Sequence, residues 1–415
     1  MAEARSPRTS AGAPAVLTVG LLAMIGWLAI MGPFGTDTYL PALPQIAADL
    51  GTRASLVQLL LTAYTIGLAL GQLILGPLSD RFGRRRLILG GAALLSLGSV
   101  ISALAPNIAV LIGACLVMGL GSASGQVIGR SIVADLAEGR QATRAYATIG
   151  LVSGLGPILG PLGGVLALTL FGWRGIFWAL AVLAAAAAVT AFFVIPETLA
   201  PERRHAGGFR SMLSTAGLVL RDRTYLFNAA MLWFGFGMMF AYISSSSFIV
   251  QNILGFSETQ YALVFGANGV GLVLSGVTTA ALAKRVSGRR LQSVGVTFYL
   301  VAGSILCVDV WTNTVTPVSV LPALFLIASA AGFVFGPSTA RALTNVRHVS
   351  GTALALLGCF QFVMAGIASP LVGVAGVDSI APLAFLGSTF AVLVLIAFLL
   401  AGTTKPASVP SASRP

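Results

Sequence analysis

Asp37 is the residue of this chain best placed to do chemistry. It lies in Gly35-Thr36-Asp37-Thr38-Tyr39-Leu40-Pro41-Ala42-Leu43-Pro44, at the end of an apolar run that begins at Ala15. An ionised carboxyl at the centre of a membrane helix costs on the order of 2.5–3.5 kcal/mol on insertion scales. A lone acid there is neutralised by a proton, or it meets a cation or water. A carboxyl that alternates between wet and dry settings can take up and release a proton. The same Asp could instead cap or hydrate the outer end of its helix, and the residues alone leave both readings open. Asp309, beside Trp311, reads as an interfacial acid near the outer end of a later span.

Little else in the chain could catalyse a reaction. There is no hydrolytic constellation and no phosphate-binding Walker loop, which argues against an enzyme and against ATP as the chain's own energy source. His205 and His348 fall in predicted inner loops. Cys115, Cys307 and Cys359 are scattered through apolar runs and suggest neither a disulfide framework nor a zinc site, so no metal and no cofactor is expected. Transport, if active, must draw on an ion gradient.

The elements that hold Asp37 are set by composition. Of 415 residues, 57% are hydrophobic and only 9% charged, with a mean hydropathy of +0.94. A soluble domain carries about 25% charged residues. In lipid every backbone group must be satisfied internally, so the apolar runs should be helices. The first run, about 15–40, is too long for the apolar part of a signal peptide. Spans follow at about 55–78, 87–105, 108–131, 145–170, 174–195, 225–249, 260–282, 292–311, 318–340, 351–374 and 380–402. That gives twelve spans in two halves, 15–195 and 224–402, with a polar linker at 196–223 and polar tails at 1–14 and 403–415.

Between the second and third runs lies Gly76-Pro77-Leu78-Ser79-Asp80-Arg81-Phe82-Gly83-Arg84-Arg85-Arg86, a short hairpin with four arginines. Loops rich in Lys and Arg stay in the cytoplasm. Of 24 Lys and Arg, only Arg53 and Arg174 fall in predicted outer loops, so the net charge of +12 is a topology signal and not a nucleic-acid surface. Both ends of the chain are then cytoplasmic. Arg130, near the inner end of its span, reads as a snorkelling cation. A second hairpin, Lys284-Arg285-Val286-Ser287-Gly288-Arg289-Arg290, echoes the first about 204 residues later. Related halves point to a transporter with its site at the midplane between them.

Small residues four apart mark packing faces: Ala63, Gly67 and Gly71; Gly121, Gly125 and Gly129; Gly156, Gly160 and Gly164. In the last of these, Pro157 and Pro161 each remove a backbone donor and should bend the helix. Cavity-lining candidates are mixed aromatic and polar: Trp27, Tyr64, Gln126, Trp233, Tyr242, Ser244 to Ser247, Asn268 and Gln361, together with Asp37. A greasy cavity with scattered polar groups suits amphipathic drug-like solutes better than sugars.

These motifs together resemble the bicyclomycin/chloramphenicol-type (Bcr/CflA) drug:proton antiporters of the major facilitator superfamily, over nearly all of 15–402. The helix 1 stretch around Asp37 is specific to that branch, and the Gly76–Arg86 hairpin to the superfamily. The Gly154–Gly164 run is similar to the antiporter motif, and Ile195-Pro196-Glu197-Thr198-Leu199 opens the linker. The resemblance implies an all-α major facilitator fold in a bacterial cytoplasmic (inner) membrane, working as a monomer among lipids. It implies export of chloramphenicol- or bicyclomycin-type solutes in exchange for protons, with export of an endogenous metabolite or self-made natural product as the alternative. By the same carry-over, Asp37 couples protons. Gly76, Asp80, Arg81, Gly83, Arg84 and Arg85 form the gating motif. Gly156, Pro157, Gly160, Pro161, Gly163 and Gly164 form the bent packing motif. The family's R-x-x-x-G on helix 4 corresponds here to Cys115-Leu116-Val117-Met118-Gly119, so that Arg is absent.

Overall fold

Long apolar runs in lipid keep their backbone bonds within the segment, and the structure follows that rule throughout. The computed structural model describes residues 17–199, 209–346, 349–374 and 379–403. Residues 1–14 and 404–415 of the tails, His205, His348 and the linker charges Glu202, Arg203 and Arg204 lie outside them. The helices are α1 (Val19–Asp37), α2 (Leu43–Asp49), α3 (Ala54–Phe82), α4 (Arg84–Ala103), α5 (Ile108–Leu136), α6 (Gly139–Gly154) and α7 (Gly156–Val194). After the linker helix α8 (Phe209–Arg221) come α9 (Arg223–Phe248), α10 (Glu258–Leu282), α11 (Gly288–Thr312), α12 (Pro317–Ala342), α13 (Ser350–Val374) and α14 (Ala381–Ala401). Phe171 and Phe193 stand 74% and 79% exposed on the perimeter, a surface that belongs in lipid and not in water.

Eleven described stretches are long and apolar enough to cross a membrane, one of them the 51-residue Arg144–Val194. That stretch is two crossings. Gly172 takes φ +68°, a conformation open to glycine, and breaks the helix there. Before the break, Gly156 packs on Pro33, Gly160 on Asp37 and Gly164 on Thr38, so this rod runs parallel to α1. After it, Arg174 donates to the Ala105 carbonyl, Ser96 to that of Ala181 and Arg85 to that of Phe192, so the second rod runs antiparallel to α4. Chain direction therefore reverses at a single residue, and the described helices make twelve crossings.

The hairpin is tighter than the sequence suggests. Helix α3 continues through Pro77 to Phe82, α4 starts at Arg84, and Gly83 at φ +95° is the whole connection. The reason is a side-chain cluster that fixes both helix ends. Arg84, 8% exposed, contacts Asp80 at 2.5 Å and Asp135 at 3.1 Å, and donates to Ser79 Oγ at 2.6 Å. Its backbone N–H donates to Glu197, and the Thr198 hydroxyl to Asp135. The second half has a different cluster at its matching corner. There Gln292 donates to Asn228 and Ser338, and Arg341 donates to Asn228.

Glycine faces set the close approaches within the first half. A methyl on Gly67 would strike the Leu116 carbonyl, and one on Gly71 the Ala123 side chain. Gly121 sits on α4, while Gly125 and Gly129 sit on Leu28 and Ile25 of α1. Without a hydrophobic drive between helices in lipid, such backbone approach supplies the packing. Gly163 is different: nothing lies near its missing side chain, so it takes no part in the α1 contact.

Candidate functional site

The two halves enclose a cavity of about 410 Å³. That is within the range of ligand pockets, about 300–1,000 Å³. The first half supplies Gly32, Pro33, Thr36 and Asp37 from α1, Gln126 and Arg130 from α5, and Ile149 and Ser153 from α6. The second half supplies Phe236, Phe240 and Tyr242 from α9, Phe265 and Asn268 from α10, Phe335 from α12, and Gln361 and Phe362 from α13. One wall thus carries the charges and the other the aromatic rings. Phe236 lies 4.9 Å from Phe240, 5.7 Å from Phe335 and 5.4 Å from Phe362 between ring centroids, which makes a continuous aromatic surface.

Asp37 is 4% exposed and is the last residue of α1. Pro33 sits in that helix one turn earlier, where it removes a backbone donor, and Gly160 brings α7 against the Asp37 side chain. The Thr36 hydroxyl lies 2.9 Å from Asp37 Oδ1 and 2.9 Å from the Pro33 carbonyl. Across the cavity Asn268 Nδ2 donates to the Tyr242 hydroxyl at 2.9 Å. Among the described residues, no three His, Cys, Asp or Glu gather as metal ligands.

On the side away from the hairpin the halves are tied together. Gln251 Nε2 donates to the Pro41 carbonyl at 3.0 Å, and Gln58 Nε2 to that of Ser244 at 3.1 Å. Along one flank Gly366 and Gly373 of α13 lie against Thr65 and Gln58 of α3. On the hairpin side Asp80 keeps 53% of its side chain exposed. Arg130, six residues before the end of α5, lines the cavity and is solvent-exposed. The cavity is therefore closed on the far side and accessible from the hairpin side.

Of the residues named from sequence, Asp37, Gln126, Tyr242, Asn268 and Gln361 line this cavity. Tyr64 does not. It is fully buried between α3 and α1, and its hydroxyl donates to the Gly32 carbonyl. Trp233 does not either: its indole N–H donates to the Leu357 carbonyl, and its ring packs on Phe360. Trp27 is 42% exposed on the outside. Ser244 to Ser247 are buried, with Ser246 hydrogen-bonded to Tyr261. Asp309, three residues before the end of α11, is buried in the bundle. It is 5% exposed, and its Oδ2 has no hydrogen-bond partner among the described residues. Cys115 is packed with no exposed surface, so the position where the resemblance expects an Arg faces the bundle interior.

Arg130 lines the cavity too, as do Ser153 and the rings Phe236, Phe240, Phe265, Phe335 and Phe362, none of them a cavity candidate from sequence. For Arg130 the place near a helix end points to snorkelling. The available signal was its spacing of four from Gln126, which puts both on one helix face.

The Major Facilitator Superfamily model matches residues 22–370. The chain is 32% identical over 358 residues to the MFS-type transporter YdgK of Bacillus subtilis, covering 86% of this chain and 89% of that one. It is 27% identical to the bicyclomycin resistance protein homolog of Haemophilus influenzae, over 92% and 94% of the two chains. It is 29% identical to multidrug resistance protein D of Escherichia coli, over 85% and 88%. Among solved structures, a peptide transporter matches with TM-score 0.72 at 16% identity, over 92% of this chain and 93% of that one. A D-xylose-proton symporter matches with TM-score 0.69 at 18% identity, over 92% and 96%. At such identities the structural likeness concerns the fold alone.

Proposed function

The chain belongs to the major facilitator superfamily, a family of membrane transporters and not of enzymes, and from that premise we propose that it exports amphipathic aromatic small molecules in exchange for protons. The carrying observation is Asp37, the one acid among the described residues on the wall of a cavity whose opposite wall is aromatic. Hydrogen-bond accounting supports a proton there. The Thr36 hydroxyl has one hydrogen but two acceptor neighbours, Pro33 O and Asp37 Oδ1. If the Asp37 carboxyl is protonated it donates to Thr36 Oγ1, Thr36 donates to Pro33 O, and both contacts are satisfied. Loss of that proton leaves Thr36 to choose between them.

Alternating access supplies the rest. With the basic hairpins in the cytoplasm, the cavity described above faces inward and the Gln251–Pro41 and Gln58–Ser244 bonds seal the outside. Rocking one half against the other would break those bonds and close the hairpin side, where Asp80 and Arg84 belong to the gate. The protein would act as a monomer among lipids in the bacterial cytoplasmic membrane. Names of relatives that point to bicyclomycin and multidrug resistance make chloramphenicol and bicyclomycin suitable probes.

The test is expression in a drug-sensitive bacterium lacking its own pumps. Resistance to a panel including chloramphenicol and bicyclomycin should rise, and dye efflux should stop on adding a protonophore. No gain in resistance together with efflux indifferent to the protonophore would sink the reading.

A further inference from the structure

Arg130 is a cation in the cavity that no part of this proton cycle uses. Its guanidinium makes no ion pair or side-chain hydrogen bond among the described residues; only its backbone carbonyl is engaged, by the Tyr146 hydroxyl at 3.2 Å. Asp37 cannot neutralise it. Gly129 packs against Ile25, twelve residues before Asp37 on α1, which separates the two backbones by about 18 Å at 1.5 Å per residue. Asp135, on the same helix, is engaged by Arg84 and Thr198. A snorkelling side chain would run along the helix to the membrane edge, whereas Arg130 lines the cavity with Gln126 and Ser153.

Arg130 is a solvent-reached cation on the cavity wall with no anion beside it among the described residues, and Arg presents a planar fork matched to carboxylate. Gln126, one turn away, adds a neutral donor to the same patch. We propose that Arg130 and Gln126 form a subsite for an acidic group on the transported molecule, so that the cavity takes aromatic solutes bearing a carboxylate. This deepens the export reading and rests on it. The aromatic wall would hold the ring, and the acid would lie toward the hairpin side.

The test uses one ring with four charge types: naphthylmethylamine, naphthylmethanol, naphthylacetate and naphthylalanine. Binding is measured by calorimetry on the full-length protein in lipid nanodiscs, for wild type, Arg130→Gln and Arg130→Lys. In wild type, naphthylacetate and naphthylalanine should bind more tightly than naphthylmethanol. Arg130→Gln should weaken those two by about tenfold or more, the cost of losing a hydrogen bond to a charged group. The amine and the alcohol should hold within about twofold, and Arg130→Lys should recover part of the loss. A wild-type ranking with the acid-bearing pair at or below the alcohol overturns the subsite, and this ranking needs no variant to fold. Equal weakening of all four by Arg130→Gln overturns it too. Failure of the export reading looks different: the acid-bearing pair binds in an Arg130-dependent way, yet proteoliposomes given a pH gradient move none of the four.

Discussion

At the scale of the residue, the site turns on which atoms hold hydrogens. Asp37→Asn keeps the size and buried setting of the side chain but fixes its hydrogens, so protonophore-sensitive efflux should fall to the vector background. The purified variant should still elute as a single folded species; full efflux by that variant would remove Asp37 from coupling. Thr36→Val keeps the shape and deletes the hydroxyl. It should cost about 0.5–1.5 kcal/mol of stability and slow proton-driven efflux, read by the initial rate in inverted vesicles; an unchanged rate would show that Thr36 only packs. Mid-span polar members of the cavity were legible in the sequence because a polar residue in an apolar run demands a reason: Asp37, Gln126, Asn268 and Gln361 line it, whereas Arg130, near a helix end, did not stand out. Of the aromatic candidates, only Tyr242 lines it. Tyr64, Trp27 and Trp233 lie in runs that are apolar on every face, since lipid is as apolar as the bundle interior. Periodicity, which separates inside from outside in a soluble helix, carries no such signal here.

At the scale of the element, glycine spacing was legible and glycine contact was not. Gly156, Gly160 and Gly164 share a face by arithmetic, and that face meets α1. Gly163, adjacent in sequence, meets nothing. Alanine substitutions should therefore part company. Gly164→Ala would push a methyl onto the Thr38 carbonyl and should destabilise by about 1–3 kcal/mol, the usual cost of overpacking. Gly163→Ala should be neutral or stabilising by up to about 1 kcal/mol, the helix-propensity gain. Melting curves in detergent compare them, and equal losses would refute the packing account. Helix ends were the least legible feature. The apolar run stops near Leu78, but α3 goes on to Phe82 because Asp80, Ser79 and Asp135 converge on Arg84. Asp80 and Ser79 are near neighbours of Arg84 in the chain, but Asp135 lies 51 residues on, and no local pattern announces that contact.

At the scale of the whole molecule, the twelve crossings and two halves followed from run lengths and charge placement, while the direction in which the cavity opens did not. It depends on weak bonds between halves that share no sequence neighbourhood, such as Gln251 to Pro41. Gln251→Leu removes that donor and should favour opening on the far side by roughly 0.5–1.5 kcal/mol, a shift of about two- to tenfold in the population ratio. Distance measurements between spin labels on the far ends of α1 and α9 would report it; an unmoved distribution would show that the bond holds nothing. The opposite gate makes a companion case. Asp80 is the half-exposed partner, and without it the buried Arg84 still holds Asp135 and Ser79, so Asp80→Ala should leave the melting temperature almost unchanged while slowing turnover. A large thermal loss with normal turnover would assign Asp80 to folding and not to the cycle. Finally, a turn consisting of Gly172 alone leaves no slack between the rods it joins. One residue added there would rotate everything after it by about 100°, carrying Ala181 and Phe192 out of phase with Ser96 and Arg85. The two crossings are geared to each other, and length variation along this chain has to find its room elsewhere.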